Sequence, residues 1–290
     1  MKISVCIPTY NRVELLTQFV DKIPEEIQVC ISDNGNYVKE DVFSRGNIKM
    51  THEDKVVPPV TNWNKAISLV ETEWFIIPGD DDFILPDMFS SVNDSINKYE
   101  DCGLIIYGYD IINGKGEVRK GWIPQDEQYM KVPASFYYMQ RSIPFRWPSI
   151  VINTNKCREI GCLDTDFVCT ASDSLFLQYM AIKYPIALIP KILGLYRVWG
   201  GSETSSRILT EEWFSELRLW QEKLRVLLND ADILYDSKKV GDQVFCDNLV
   251  TAFEMNKHLS IKDKISFLRK VGLPYNAGLK DILRLIKRIV

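Results

Sequence analysis

Short apolar runs alternate with polar turns and longer amphipathic stretches along the first two thirds of the chain. Lys2 to Ile7 reads as a buried strand, closed by Pro8, which has no N–H to give a sheet ladder. Asn11 then stands where a helix cap belongs, with Glu14 three residues on completing a capping box, and the helix is expected to reach about Ile23. The unit recurs: Ile27 to Ile31 is apolar and breaks into Ser32-Asp33-Asn34-Gly35, and Thr61 to Val70 has helical spacing and leads into a strand over Trp74 to Ile77. A helix from Pro86 to Tyr99 and a strand from Gly103 to Gly108 follow, then a hairpin turn at Asn113-Gly114-Lys115-Gly116 between Ile111-Ile112 and Val118.

Trp122 to Trp147 has no period and reads as aromatic-lined loops with one short helix. A helix over Ser172 to Lys183 and strands at Ala187 to Ile189 and Leu193 to Arg197 precede a break at Gly200-Gly201-Ser202. From Thr210 onward, with Glu211 and Glu212 where a helix dipole favours acids, the spacing is helical throughout. Together these elements predict an α/β fold over residues 1–205, with a mostly parallel central sheet and flanking helices, and a helical C-terminal appendage over residues 206–290. In such sheets ligands bind beyond the carboxyl ends of strands. Three polar clusters fall there: Pro8 to Arg12, Ser32 to Gly35 and Gly79 to Asp82.

The balance of 46% hydrophobic and 26% charged residues excludes a disordered chain. Seven scattered cysteines form no disulfide framework and suit a reducing, cytoplasmic setting. Cys157, Cys162 and Cys169 lack paired spacing and lie far from His52 and His258, which argues against zinc. No apolar stretch is long enough to cross a bilayer, and Lys2 leads into a strand and not a signal peptide. The net charge of −4 divides into +7 over residues 255–290 and −11 elsewhere, which argues against general nucleic-acid binding and for one local anionic partner.

Gly79-Asp80-Asp81-Asp82 hangs directly off the apolar run Trp74 to Pro78. Adjacent carboxylates repel one another and gain nothing from burial, so their place at a strand end calls for a divalent cation, Mn²⁺ or Mg²⁺, carrying substrate phosphates. The local alternative is a solvated acidic turn ahead of the helix near Pro86.

The ordered set Val5-Cys6-Ile7-Pro8-Thr9-Tyr10-Asn11-Arg12, Ile31-Ser32-Asp33-Asn34-Gly35, Asn64, Gly79-Asp80-Asp81-Asp82 with Pro86, and Ser172-Asp173 resembles the GT-A glycosyltransferases of family 2. The resemblance covers roughly residues 1 to 205 and implies a Rossmann-like GT-A fold and an inverting, metal-dependent transfer from a nucleotide sugar, UDP-linked, to a saccharide acceptor in surface polysaccharide assembly. Pro8, Thr9 and Tyr10 put backbone groups, a hydroxyl and an aromatic face at a strand end, which suits a nucleobase and its ribose, or form a plain strand-to-helix turn, and Arg12 at the positive end of a helix calls for a nearby anion; the resemblance implies that Asp33 accepts from the uracil N3–H and that Asn64 belongs to the donor site. It further implies that Asp80 faces the ribose, that Asp81 or Asp82 holds the metal, and that Asp173 is the general base. Two positions depart from many relatives: Ser172 stands where they have Glu, and Trp199 where they have a histidine that can ligate the metal. Arg197 faces the diphosphate or is an ordinary surface arginine.

Sugar nucleotidyltransferases share the layout but need a glycine-rich loop after the first strand, which Pro8 to Arg12 lacks; a non-catalytic nucleotide-sugar or glycan-binding protein is the other alternative. Over Leu279 to Val290, apolar and basic residues fall on separate arcs of a helix. That pattern suits an anionic membrane surface bearing a lipid-linked acceptor, and equally packing on the protein or on a second subunit of a homodimer.

Overall fold

The computed structural model describes residues 2–39, 42–43, 45–141, 143–198, 207–274 and 278–289. Strand β1 (Ile3–Thr9) is buried throughout and pairs in parallel with β2 (Gln28–Asn34) on one side and β4 (Trp74–Ile76) on the other. Pro8 does not close this strand. β4 pairs only with Ile3 to Val5, so Pro8, opposite Ser32, lies where one flank of β1 has lost its neighbouring strand and a missing N–H is tolerated.

Helix α1 (Val13–Val20) is shorter than expected and has no capping box: Asn11 turns left-handed at φ 52°, Arg12 takes the cap position, and no side chain caps the first turn. Parallel β3 (Ile48–Glu53), half-buried at the sheet edge, extends β2, and α2 (Pro59–Ser68) packs on β1 and β2. The ladder then reverses. β9 (Ile150–Asn153) runs antiparallel between β4 and β6 (Leu104–Asn113), β6 is parallel to β10 (Ile186–Val198), and β5 (Phe83–Ile84) closes antiparallel on β10. The strand order β3-β2-β1-β4-β9-β6-β10-β5 therefore joins two parallel groups through one inverted strand.

The two strands expected at Ala187 and Leu193 are one, bent by register shifts between Ile189 and Gly194. The expected hairpin forms between β6 and β7 (Val118–Trp122), and the aperiodic stretch after it holds β8 (Gln128–Met130) as well as a short helix, α4 (Ala134–Met139). Helix α3 (Met88–Lys98) and α5 (Thr154–Glu159) flank the sheet, and α6 (Ser172–Lys183) has the bounds its sequence predicts.

Among the described residues, helices α7 (Glu211–Asp230), α8 (Ser237–Met255), α9 (Ile261–Val271) and α10 (Leu279–Ile289) follow. The Gly200-Gly201-Ser202 break and the boundary at residue 205 lie outside the described residues. Two hydrophobic cores line the sheet faces; the third is shared, packing Phe136, Phe167, Leu175 and Ile182 against Trp213, Phe214, Trp220 and Phe253. Each such side chain contributes about 1.5–3 kcal/mol when fully buried. The helical region is thereby bonded to α4 and α6, the helix that begins at Ser172-Asp173.

Candidate active site

The β1–β4 pairing brings the loop after β4 against the end of β1. Thr9 Oγ1 donates to Asp80 Oδ2 at 2.8 Å, and Arg12 Nη1 donates to Asp80 Oδ1 at 2.9 Å and Asp81 Oδ2 at 3.3 Å. The left-handed turn at Asn11 is what delivers Arg12 to these acids, and they offset the repulsion between its cation and the positive end of α1. Asp82, 3% exposed, accepts from the N–H of Gly79 at 3.0 Å and of Arg197 at 2.9 Å. Arg197 also donates from Nε to the Asp81 carbonyl at 2.8 Å and lies over the Phe83 ring, so it braces the acidic loop against β10. A Cβ on Gly79 would come within 2.9 Å of Asp81 Oδ1 and 3.3 Å of Asp82 Oδ2; only glycine lets the carboxylates fold back this closely.

Burial, then the neighbouring Asp81 charge, pushes the Asp82 carboxyl up to about 8, and burial also raises Asp80 against the pull of Arg12 and Thr9. A cluster strained in this way, made of hard carboxylate oxygens, fits an Mn²⁺ or Mg²⁺ ion, for which one or two carboxylates suffice when phosphates complete the shell. Among the described residues no group of three or more His, Cys, Asp and Glu forms a self-sufficient metal cage.

At the end of β2, Asp33 is fully buried; its Oδ2 accepts from Val38 N–H at 2.7 Å and lies 3.3 Å from His52 Nδ1, while among the described residues its Oδ1 has no hydrogen-bond partner. A buried acceptor without a donor is costly unless something supplies one. Nearby, the half-exposed Tyr10 ring meets Tyr37 edge-on at 5.5 Å, and the Asp33 charge is felt at Tyr37. This gives an aromatic face and an unanswered acceptor at neighbouring strand ends.

Asn64 is placed elsewhere. Its amide holds the backbone of Leu163 at both ends, 2.7 Å to the carbonyl and 3.0 Å from the N–H. Two residues earlier on α2, buried Asn62 faces the strand ends, accepting from Ser32 Oγ at 2.7 Å and donating to the Thr9 carbonyl at 3.3 Å.

Asp173 stands in the first turn of α6 and accepts from Ser174 N–H at 2.7 Å. Its side chain stays open to solvent, yet protein crowds around it, and that crowding raises its pKa against the Ser174 hydrogen bonds and the positive charge of Arg146. Arg146 lies over the Tyr196 ring, 5.7 Å from its centroid, and Tyr196 in turn feels the charges of Asp82 and Asp81. The stacked Arg146–Tyr196 pair thus lies within electrostatic reach of both Asp173 and the acidic loop. The loop entering α6 is held by Glu216 of α7, whose buried carboxylate accepts from Val168 N–H at 2.8 Å, Cys169 N–H at 2.9 Å and Thr170 N–H at 2.7 Å. It pins Ala171, whose φ of 64° is left-handed without being glycine. Arg146, Tyr37, Asn62 and Glu216 have no local signal in the sequence; only the pairing of distant segments reveals them.

Residues 4–158 match the family model described as glycosyl transferase family 2. The chain belongs to this family. Among curated proteins the glycosyltransferase is 26% identical over 153 residues to the abequosyltransferase RfbV of Salmonella typhimurium, a match covering 45% of this chain and 44% of the relative. The chain thus spans less than half the length of the curated relative it matches. Its whole length superposes on S. aureus TarS with a TM-score of 0.62 at 15% identity, covering 90% of that chain, and on TarS in complex with UDP-GlcNAc with a TM-score of 0.64 at 16% identity, also covering 90% of that chain. The likeness establishes the GT-A fold, α/β with a mixed, largely parallel central sheet. The family match ends before Asp173.

Proposed function

We propose that this glycosyltransferase moves a sugar from a UDP-linked donor to a saccharide hydroxyl with inversion at the anomeric carbon, on a lipid-linked acceptor at the cytoplasmic face of a membrane. The observation that carries the reading is the gathering of Thr9, Arg12, Asp80 and Asp81 at the strand ends, with the stacked Arg146–Tyr196 pair within electrostatic reach of both the acidic loop and Asp173. A UDP-GlcNAc complex of TarS and an abequosyltransferase relative support the donor class and the setting.

Tyr10 offers its ring to the base, and the unpartnered Asp33 Oδ1 accepts from the uracil N3–H. Asp80, oriented by Thr9 and Arg12, meets the ribose. Asp81 and Asp82 would hold Mn²⁺ or Mg²⁺, which when bound supplies the positive charge that stabilises the departing diphosphate. Asp173 takes the proton of the acceptor hydroxyl as its oxygen forms the new bond to the anomeric carbon; the bond to the diphosphate breaks, and UDP leaves with that electron pair. Attack opposite the leaving group inverts the centre, the geometric logic of inverting glycosidases with a sugar hydroxyl in place of water.

The exposed edge of α10 supports membrane contact. Arg284 and Arg288 pair with Asp247 and Glu254 of α8, and Leu285 is buried, which leaves Leu279, Ile282, Leu283 and Ile286 facing outward beside Lys280 and Lys287. Among the described residues no helix is long and apolar enough to cross a membrane.

The test compares wild type with Asp173→Asn for UDP binding and for Mn²⁺-dependent donor turnover. Retained UDP binding with a loss of about 10²–10⁴-fold in turnover is expected. Equal turnover in the two proteins removes Asp173 from the chemistry, and UDP binding without turnover in either protein leaves a binding protein.

A further inference from the structure

Two thiols meet at the end of α5, apart from every group of the donor and acceptor chemistry. Gly161, left-handed at φ 87°, closes the helix: its N–H donates to the Arg158 carbonyl and the N–H of Cys162 to the Cys157 carbonyl, both at 3.0 Å. This pair of hydrogen bonds brings the second residue past the helix cap over the last turn, where an apolar contact commonly completes the motif. Here the two positions are Cys162 and Cys157, and Cys162 packs against the core that contains Cys157.

Cys162 is an unusual residue for its backbone. Its own φ of 61° is left-handed, a conformation that glycine or asparagine adopts with less strain and that persists elsewhere only where the surroundings enforce it. They do so here. Leu163, next in the chain, is bonded at both its N–H and its carbonyl by Asn64, and the Asp164 carbonyl accepts from Ser172 Oγ of α6 at 3.2 Å.

The two thiols differ in access and in charge. Cys157 is fully buried, whereas Cys162 is half-buried and lies on the wall of a cavity of about 510 Å³ between this turn and helices α6 and α7. The Cys157 thiol donates to the Cys162 sulfur, which holds Cys162 below the ordinary thiol range against its burial, and the Arg158 cation acts the same way. Cys157 is raised by that bond and by burial. An accessible, thiolate-prone cysteine beside a second thiol is the arrangement that reacts by thiol–disulfide exchange. Cys169 is half-buried too, but burial raises it, and its sulfur meets Glu212 and Arg207.

We infer that Cys162 and Cys157 form a reversible dithiol–disulfide site, open to low-molecular-weight disulfides through this cavity, with Cys162 attacking and Cys157 resolving. The Cys162 thiolate attacks one sulfur of the small disulfide; that S–S bond breaks, and a small thiolate leaves with the electron pair. Cys157 then attacks the Cys162 sulfur and displaces the second small thiolate. The two cysteine protons end on the two released thiols, so the pair is oxidised as the small disulfide is reduced. The new bond closes on the turn that carries Leu163 and Asp164, the segment to which Ser172 of α6 is bonded.

The experiment equilibrates the 290-residue chain in glutathione buffers of rising oxidised fraction, quenches with acid, alkylates and digests with trypsin. Cleavage after Arg158 separates the two cysteines, so a bond between them joins two peptides. Joined peptides are expected from wild type and are lost again in excess reduced glutathione. Cys162→Ser should give neither the link nor glutathione on Cys157, and Cys157→Ala should stop with glutathione on Cys162. Limiting iodoacetamide should label Cys162 of reduced wild type about tenfold faster than Cys169. Thermal melting reports whether each variant is folded, and the wild-type link and labelling rates decide the matter even where Cys157→Ala does not fold. A folded wild type without the link at full oxidation, a link from Cys157 to Cys6 in its place, or equal labelling of Cys162 and Cys169 overturns the inference; glutathione on Cys157 in Cys162→Ser overturns the assigned order of attack.

Discussion

Replacing Glu216 by alanine is the sharpest perturbation of the proposed base, Asp173, without touching it. The carboxylate satisfies three consecutive backbone donors, at 2.8, 2.9 and 2.7 Å from Val168, Cys169 and Thr170, and is itself buried. Hydrogen bonds to a charged group contribute about 1.5–3 kcal/mol each, so three would sum to about 5–9. That sum overshoots, because the variant also relieves the desolvation of a buried charge and lets water reach the freed N–H groups. About 3 kcal/mol is the reasonable net loss, or about 6 °C in Tm for a chain of this size. Glu216→Gln keeps one acceptor oxygen and turns an amide N–H₂ toward the remaining donor, so about 2 kcal/mol is expected. The catalytic consequence is separable from the stability loss. Misplacing a reacting group by 1 Å can cost about 10²-fold, so donor turnover should fall by about one to two orders of magnitude, below the melting transition, with UDP affinity unchanged. Urea unfolding, turnover at a temperature where both proteins are fully folded, and calorimetric UDP binding make the comparison. A Glu216→Ala protein that melts with wild type, or that turns over at the wild-type rate, refutes the claim that α7 holds the proposed base.

Asp173 binds its proton more tightly in the folded chain than in the unfolded one, so its contribution to stability falls as pH rises from the ordinary carboxylate range through its folded pKa. Asp173→Asn should therefore gain in Tm over wild type as pH rises through that window, and a constant difference would contradict the shift. The acid limb of kcat/KM should lie above the usual aspartate range and move further up in Arg146→Gln, since the arginine charge favours the carboxylate; an unmoved limb separates Arg146 from the base. Asn64→Ala should lower stability by about 1–3 kcal/mol through the freed Leu163 backbone while leaving UDP affinity intact, and a loss of UDP affinity would return Asn64 to the donor site. Leu283→Glu with Ile286→Glu should abolish sedimentation with phosphatidylglycerol vesicles without changing Tm, because both side chains face outward; no vesicle binding by wild type, with a doubled mass in ultracentrifugation, would assign the face to a second copy.

Much of the catalytic half was legible because its signals are local. The bounds of α6, the strand ends and the acidic triplet each follow from period, proline and charge within a few residues. What escaped was set by partners far along the chain. β3, an edge strand half-buried at every position, alternates only over Ile48 to Thr51, and β9 has only four residues with which to announce that the ladder reverses. Asn64 and Asn62 share one helix and one residue type, yet about 200° of rotation separates them, and family order alone does not say which faces the strands. Asn11 offered the chemistry of a cap and became a left-handed turn, because the tertiary gain lay in bringing Arg12 to Asp80 and Asp81.

The same reasoning bears on the helices after residue 206, which the sequence presents as an appendage. A separate helical domain would keep its apolar face to itself. Here Phe214 and Trp220 share a core with Phe136, Phe167 and Leu175, and the polar contact that crosses the boundary ends on the residues just before α6. A buried carboxylate is an expensive way to fasten two bodies, since apolar packing alone would do so at least as well. What the carboxylate adds is direction: three N–H groups aimed at one point fix the backbone of Val168 to Thr170, and through Ala171 the first turn of α6, to a degree that packing does not. In the proposed reading, the strand ends organise the donor side, and the helices after residue 206 fix the backbone that carries Asp173.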